Sequence, residues 1–138
     1  MAYVFPQKVL FKHCDPAGIV FYPRYFEMIN DCIEAFFDDV LGLPFSTIHP
    51  ENAVPTAEIT TRFRTPGKLG DQLRITLHVT RVGRSSIGFR LHAACEEETR
   101  FETQSTLVLV NELGRPKDWP DTVREKMKMC LEDDGNET

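Results

Sequence analysis

His13-Cys14-Asp15-Pro16-Ala17-Gly18-Ile19-Val20-Phe21-Tyr22-Pro23-Arg24-Tyr25 places a single carboxylate between the end of a strand pattern and the start of the longest helical pattern in the chain. Asp15 precedes Pro16, which biases it toward extended backbone, and Gly18 allows a tight turn and a close approach to a ligand. Asp-Pro alone is a common turn signal, so the weight rests on the whole run and not on the dipeptide. The stretch reads as a loop that holds one acid.

Downstream, Tyr25, Phe26, Ile29, Cys32, Ile33, Phe36, Phe37 and Val40 recur at three- and four-residue spacing, and Gly42 with Pro44 supplies a stop. Glu27, Asp31, Glu34 and Asp38 form the opposite stripe. So many large apolar side chains on one helix need a wide cover, which a curved sheet would provide. Upstream, residues 4–12 alternate as a strand, with Gln7, Val9 and Phe11 on one face and Lys8, Leu10 and Lys12 on the other. Pro6 favours an edge or an irregular start.

Residues 43–55, with three prolines and His49, show no period and are long enough to line a pocket for an acyl group. Four alternating strands follow, at residues 56–64, 72–82, 85–95 and 101–110, with residues 66–71 as a turn and Gly83-Arg84 as a tight connection. Ala57, Ile59, Thr61 and Phe63 oppose Glu58, Thr60, Arg62 and Arg64 in the first of them. Leu73, Ile75, Leu77 and Val79, and then Ile87, Phe89, Leu91, Ala93 and Cys95, are the expected buried faces. Turn signals at this spacing predict an antiparallel meander with the first strand added from the N-terminal side, an α+β fold. Residues 120–131 predict a short helix carrying Val123, Met127 and Leu131, and the acidic tail 132–138 is expected to be disordered. Residues 1–131 are thus expected to form a single domain, the size that 138 residues suit.

An apolar content of 41% with 27% charged residues is ordinary for a soluble globular protein. No apolar run reaches the length of a membrane span and the N-terminus lacks a secretory apolar core, so a cytoplasmic location is expected. Cys14, Cys32, Cys95 and Cys130 are scattered, without Cys-x-x-Cys spacing, which predicts reduced thiols and no metal site. A net charge of −5 argues against general nucleic-acid binding, so any phosphate site must be a local patch.

The unbroken run from Asp15 to Pro23 resembles the signature of the hot-dog-fold acyl-CoA thioesterases, in particular the 4-hydroxybenzoyl-CoA thioesterase group, whose loop reads roughly acid-Pro-Ala-Gly-Ile-Val-aromatic-Tyr-Pro. The resemblance implies a hot-dog fold, an antiparallel five-stranded sheet wrapped around a long central helix. It implies hydrolysis of an aromatic (4-hydroxybenzoyl-CoA-like) or short-to-medium acyl-CoA, in a homodimer or homotetramer whose sites lie at the subunit boundary. No metal, nucleic acid, membrane or cofactor is expected, CoA being part of the substrate.

Thioester hydrolysis needs a nucleophile or general base beside the acyl carbon and donors aimed at the oxygen that becomes negative. By resemblance Asp15 either attacks the carbonyl or activates water, and the backbone N–H of Tyr22, at the positive end of the helix dipole, is the oxyanion donor, with Gly18 permitting close approach. His13, two residues from Asp15, is a candidate for assisting proton transfer or tuning the field. Arg84-Ser85-Ser86 resembles the basic, hydroxyl-bearing turn that holds the phosphates and pantetheine of CoA. The alternatives are a non-catalytic acyl-CoA-binding hot dog, a hot-dog hydratase or dehydratase, and a thioesterase whose acid is Glu27 or Glu34 on the helix.

Overall fold

The computed structural model describes residues 2–131. In chain order these form β1 (Ala2–Lys8), a 3-10 turn (Phe11–His13), α1 (Pro23–Phe36) running on into a π-helical turn (Phe37–Leu41), and a short α2 (Phe45–Ile48). β2 (Thr56–Phe63), β3 (Gln72–Val82), β4 (Ser86–Cys95), β5 (Glu98–Val108) and α3 (Asp121–Cys130) follow.

Pro23 opens α1 at a position where its missing N–H would have had no helical partner. Tyr25, Met28, Ile29, Cys32, Ile33 and Phe36 are buried, while Glu27, Asp31, Glu34 and Asp38 face out. Gly42 ends the helix at φ 63, a left-handed conformation, and its N–H returns to the Phe37 carbonyl.

The five strands are all antiparallel neighbours in the order β1-β3-β4-β5-β2, and they curve around α1. Leu73, Ile75, Leu77 and Val79 of β3 and Ile87, Phe89, Leu91 and Ala93 of β4 are buried beneath the helix, as their alternation predicts. Phe36 meets Phe89 edge-on at 5.6 Å and Tyr25 lies 4.8 Å from Phe101, so the helix and the sheet interlock ring on ring. Each fully buried phenylalanine here contributes about 1.5–3 kcal/mol. α3 closes the far end with Val123, Met127 and Cys130, and Trp119 donates its indole N–H to the Ser86 carbonyl at 3.0 Å. This is the hot-dog arrangement.

Three expectations need correction. The strands do not form a meander: β2 pairs with β5, Phe63 opposite Phe101, and residues 64–71 cross over to β3. β2 is exposed along most of its length, which suits an edge and would not suit a place between two neighbours. β1 ends at Lys8, because Val9 exchanges hydrogen bonds with Asp71 and Gly70 and the chain then coils into the 3-10 turn, leaving Phe11 83% exposed. Cys95 is only half-buried, at the end of β4. The acidic tail 132–138 lies outside the described residues.

Candidate active site

The stretch after β1 folds into a small hairpin of its own. Phe21 N–H donates to the His13 carbonyl and Asp15 N–H to the Ile19 carbonyl, both at 2.9 Å, with Cys14 opposite Val20. Gly18 N–H closes the turn on the Asp15 carbonyl at 2.9 Å, and Gly18 itself sits at φ +81, where a side chain would be strained. The Asp15 carboxylate accepts the Ala17 N–H on Oδ1 at 2.9 Å. Its Oδ2 has no hydrogen-bond donor among the described residues. A hollow of 620 Å³ opens beside it, lined in part by Phe11, Cys14, Asp15, Gly18 and Leu69, and a Cβ built on Gly18 would meet no atom within 4 Å.

The same hairpin delivers the chain into α1. Arg24 N–H donates to the Phe21 carbonyl at 2.8 Å and Tyr25 N–H to the Tyr22 carbonyl at 3.0 Å, while Pro23 has no N–H. Tyr22 N–H is left without an acceptor among the described residues, at the positive end of the helix. The Tyr22 ring is 58% exposed and packs edge-on against Phe63 of β2 at 5.8 Å. Phe63 also contacts Tyr25 and Phe26, forming an aromatic wall between the helix start and the edge strand.

The crossing segment 64–71 clamps the hairpin. Val20 N–H donates to the Gly67 carbonyl at 2.9 Å, Leu69 N–H to the Gly18 carbonyl at 3.1 Å, and Gly67 N–H to the Tyr25 hydroxyl at 2.9 Å. Lys68 N–H caps Asp71 Oδ2 at 2.9 Å, and that same oxygen accepts from the buried Arg100 at 3.1 Å. Burial alone would lower the Arg100 pKa, but hydrogen bonds to Glu98 and Asp71 outweigh it and hold the guanidinium charged. Removing Arg100 would leave the Asp71 carboxylate under the clamp without its cationic partner, whereas removing Asp71 would leave Arg100 paired with Glu98 alone.

Arg84, Ser85 and Ser86 lie elsewhere. Their turn is pinned by Trp119 N–H on the Arg84 carbonyl at 2.8 Å and Leu109 N–H on the Ser85 carbonyl at 2.7 Å. The Arg84 guanidinium is exposed and pairs with nothing among the described residues. Asp71, beside the clamp, and Arg84 bracket the whole of β3, a separation on the order of 40 Å for an extended strand. His13, Asp15, Gly18 and Tyr22 are therefore brought together within one chain, and Arg84 to Ser86 are not brought to them.

A sequence profile described as the thioesterase superfamily matches residues 17–102. The chain belongs to that superfamily. The match covers Gly18, Tyr22 and Arg84 to Ser86 and begins just past Asp15. Among solved structures, this thioesterase-superfamily chain is similar to a 1,4-dihydroxy-2-naphthoyl-CoA thioesterase from Synechocystis, at 16% identity and TM-score 0.84, covering 93% of this chain and 96% of that one. It is similar to a gentisyl-coenzyme A thioesterase at 25% identity and TM-score 0.82, covering 91% and 99%. The dynemicin thioesterase superposes with TM-score 0.86 at 16% identity, covering 96% and 99%. No curated protein matches the sequence.

Within this superfamily member His13 is 5% exposed, and its Nδ1 accepts the Leu10 N–H at 2.9 Å. Burial lowers its pKa, so the ring is a neutral acceptor that fixes the entry to the loop. Gly67, Tyr25, Asp71 and Arg100 are the supporting residues that the linear sequence did not single out. Among the described residues no three His, Cys, Asp or Glu side chains gather as a metal-ligand set, and no helix is long and apolar enough to cross a membrane.

Proposed function

We propose that the protein hydrolyses an acyl-CoA thioester to the free acid and CoA, with Asp15 as the catalytic carboxylate. The observation that carries this reading is that one short hairpin presents a carboxylate oxygen without a donor among the described residues and leads directly into a helix start whose Tyr22 N–H has no acceptor among them. Asp15 either adds to the thioester carbon, giving an anhydride that water then opens, or takes a proton from water as it adds. In both routes the carbonyl oxygen gains charge against Tyr22 N–H, the carbon–sulfur bond breaks, and the CoA thiolate leaves and takes a proton. His13 enters the proposal as the neutral residue that sets the loop's start. No metal and no cofactor beyond the CoA of the substrate is required.

The CoA moiety is assigned to Arg84, Ser85 and Ser86 of a second copy. β2 is an open edge with Ile59 39% and Phe63 48% exposed, so antiparallel pairing of two β2 strands would extend the sheet across a twofold axis. Such pairing reverses strand direction and brings the partner copy's Arg84 end toward this copy's Asp15 end. A homodimer is then the smallest active unit, and a homotetramer is two of them.

An aromatic acyl group fits best, because Tyr22, Phe63 and Phe26 offer ring faces and edges beside the helix start, and two of the structurally similar proteins act on a naphthoyl-CoA and a gentisyl-CoA. Thiol release across benzoyl-, hydroxybenzoyl-, phenylacetyl- and straight-chain acyl-CoAs tests this, with the aromatic esters expected to turn over fastest. Background release across the panel, with the esters nonetheless bound, would replace the hydrolase by a binding protein.

A further inference from the structure

On the face of the sheet turned to α1, β2 and β5 set Phe63 opposite Phe101, Thr61 opposite Thr103 and Ile59 opposite Ser105. The helix covers the first of these pairs, since Tyr25 stacks on Phe63 and lies 4.8 Å from Phe101. About three turns further along α1, Phe36 meets Phe89 of β4 instead, and Phe89 is the strand neighbour of Ser105. The helix therefore crosses from the β2 edge toward β4, about 10 Å at two strand spacings, and a wedge opens between it and β2. Ile59 marks the open part, for it points to the helix side and is still exposed. The wedge begins at the aromatic wall of Tyr22, Phe26 and Phe63, beside the Asp15 hairpin. It runs toward the end of β5, where the Val108 N–H on the Pro55 carbonyl and Ala53 opposite Val110 bring the 43–55 segment alongside.

The floor of this wedge is not apolar throughout. Thr61 and Thr103 hydrogen-bond each other at 3.0 Å. Ser105 is 5% exposed, and its hydroxyl has no hydrogen-bond partner among the described residues. Its neighbours across the strands, Phe89 and Ile59, offer no polar side chain. A buried hydroxyl left in this state costs about 1–3 kcal/mol, and an alanine would occupy the same place without that cost. A lone hydroxyl in an apolar channel selects its ligand, because an analogue without a matching group leaves it unpaired.

We propose that Ser105 is a specificity-determining residue: the wedge takes the acyl group, and the Ser105 hydroxyl pairs with a hydrogen-bonding substituent at the end remote from the thioester. This rests on the reading that Asp15 and Tyr22 hold the thioester. Ser105 stands four residues along the sheet from the level of Phe63, about 13 Å. A single ring joined directly to the carbonyl is too short for that distance, and a ring carried on a two-carbon spacer spans most of it. The substrate class is then an elongated aryl acyl-CoA with a polar far end.

Affinity tests this without requiring turnover. In calorimetry, the full chain carrying Asp15→Asn should bind 4-hydroxycinnamoyl-CoA about tenfold more tightly than cinnamoyl-CoA, the worth of one buried hydrogen bond. Ser105→Ala on that background should erase the difference, and Ser105→Thr, which keeps the hydroxyl, should retain part of it. The shorter pair, 4-hydroxybenzoyl-CoA and benzoyl-CoA, should keep its ratio in Ser105→Ala. The proposal is overturned if neither cinnamoyl ester binds, if both bind alike before Ser105 is changed, or if Ser105→Ala weakens both equally. It is overturned too if only the shorter pair responds to Ser105→Ala. Thiol release by the parent separates this inference from the one beneath it. Release with an affinity ratio indifferent to Ser105 sinks the subsite alone, whereas a Ser105-dependent ratio without release sinks the hydrolase and keeps the subsite.

Discussion

The Tyr25 hydroxyl accepts the Gly67 N–H at 2.9 Å, joining the first turn of α1 to the segment that grips Gly18 and Val20. A Cβ on Gly67 would stand 2.5 Å from that hydroxyl and 3.0 Å from Val20 Cγ2, so Gly67→Ala must displace the loop or the helix start. On the proposed function, turnover should fall on the order of a hundredfold with a smaller change in KM, as misplacement of reacting groups by an ångström does. Tyr25→Phe leaves the buried amide unpaired and should cost about 1–3 kcal/mol in urea unfolding. A lowered melting temperature with unchanged kcat would restrict the clamp to a role in stability.

Asp15→Asn keeps the size of the side chain and its Ala17 contact while removing basicity and nucleophilicity. Turnover should drop on the order of a hundredfold or more, with CoA-ester affinity nearly intact. Parental turnover in this variant would refute the assignment of Asp15.

Arg84→Ala should raise KM for CoA esters far more than it lowers kcat, since a phosphate contact holds the ground and transition states alike. Pantetheine thioesters, which lack the nucleotide, should be hydrolysed as by the parent. Because Arg84 and Asp15 stand at opposite ends of β3, exchanging subunits between Asp15→Asn and Arg84→Ala preparations should restore a fraction of the activity at low substrate. Demonstrated exchange without recovery would exclude a site shared between copies.

Stability should fall on the acid side through His13. Burial lowers its pKa below the ordinary 6.5, so the unfolded chain takes up the proton first. The stabilisation is complete above about pH 6.5 and is lost as the pH drops through the folded value, where the protonated ring can no longer accept the Leu10 N–H. Cys32, pushed up to about 12 by burial, acts in the opposite sense, with stability declining as the pH rises past 9. Urea midpoints against pH should show the acid limb flattened in His13→Gln; an unchanged limb would place the transition in other groups.

What the sequence disclosed and what it withheld divide by range. The spacing from Tyr25 to Phe36 fixes α1, and the strict alternation from Leu73 to Val79 marks the inner face of β3, because both patterns express burial one turn or one pleat at a time. Phe11 was misplaced, since Val9, Leu10 and Phe11 are all apolar and alternation cannot orient them. The place of β2 at the far edge was hidden for a different reason: Ile59 and Phe63 alternate identically whichever neighbour they pair with. The run from Asp15 to Pro23 points to the family, and the thioesterase-superfamily match agrees with the family expected, while the roles of Asp15 and Tyr22 stand as proposals. Gly67 was not legible, because in Pro66-Gly67-Lys68-Leu69-Gly70 it reads as an ordinary turn residue until a hydroxyl 42 positions away gives it a partner.

The crossing at residues 64–71 also orders the events of folding. β3, β4 and β5 are joined by short turns and can zip in sequence, whereas β2 must pass both intervening strands to set Phe63 against Phe101. Pairings of long sequence separation form late, and peripheral units held by few contacts open first. The segment that holds the Asp15 hairpin hangs from this late-arriving strand, so the amides of Val20 and Leu69 should exchange with solvent well before those of Leu77 and Leu91. A molecule can thus shed its chemistry by a local opening while its core stays folded, and regain it without refolding.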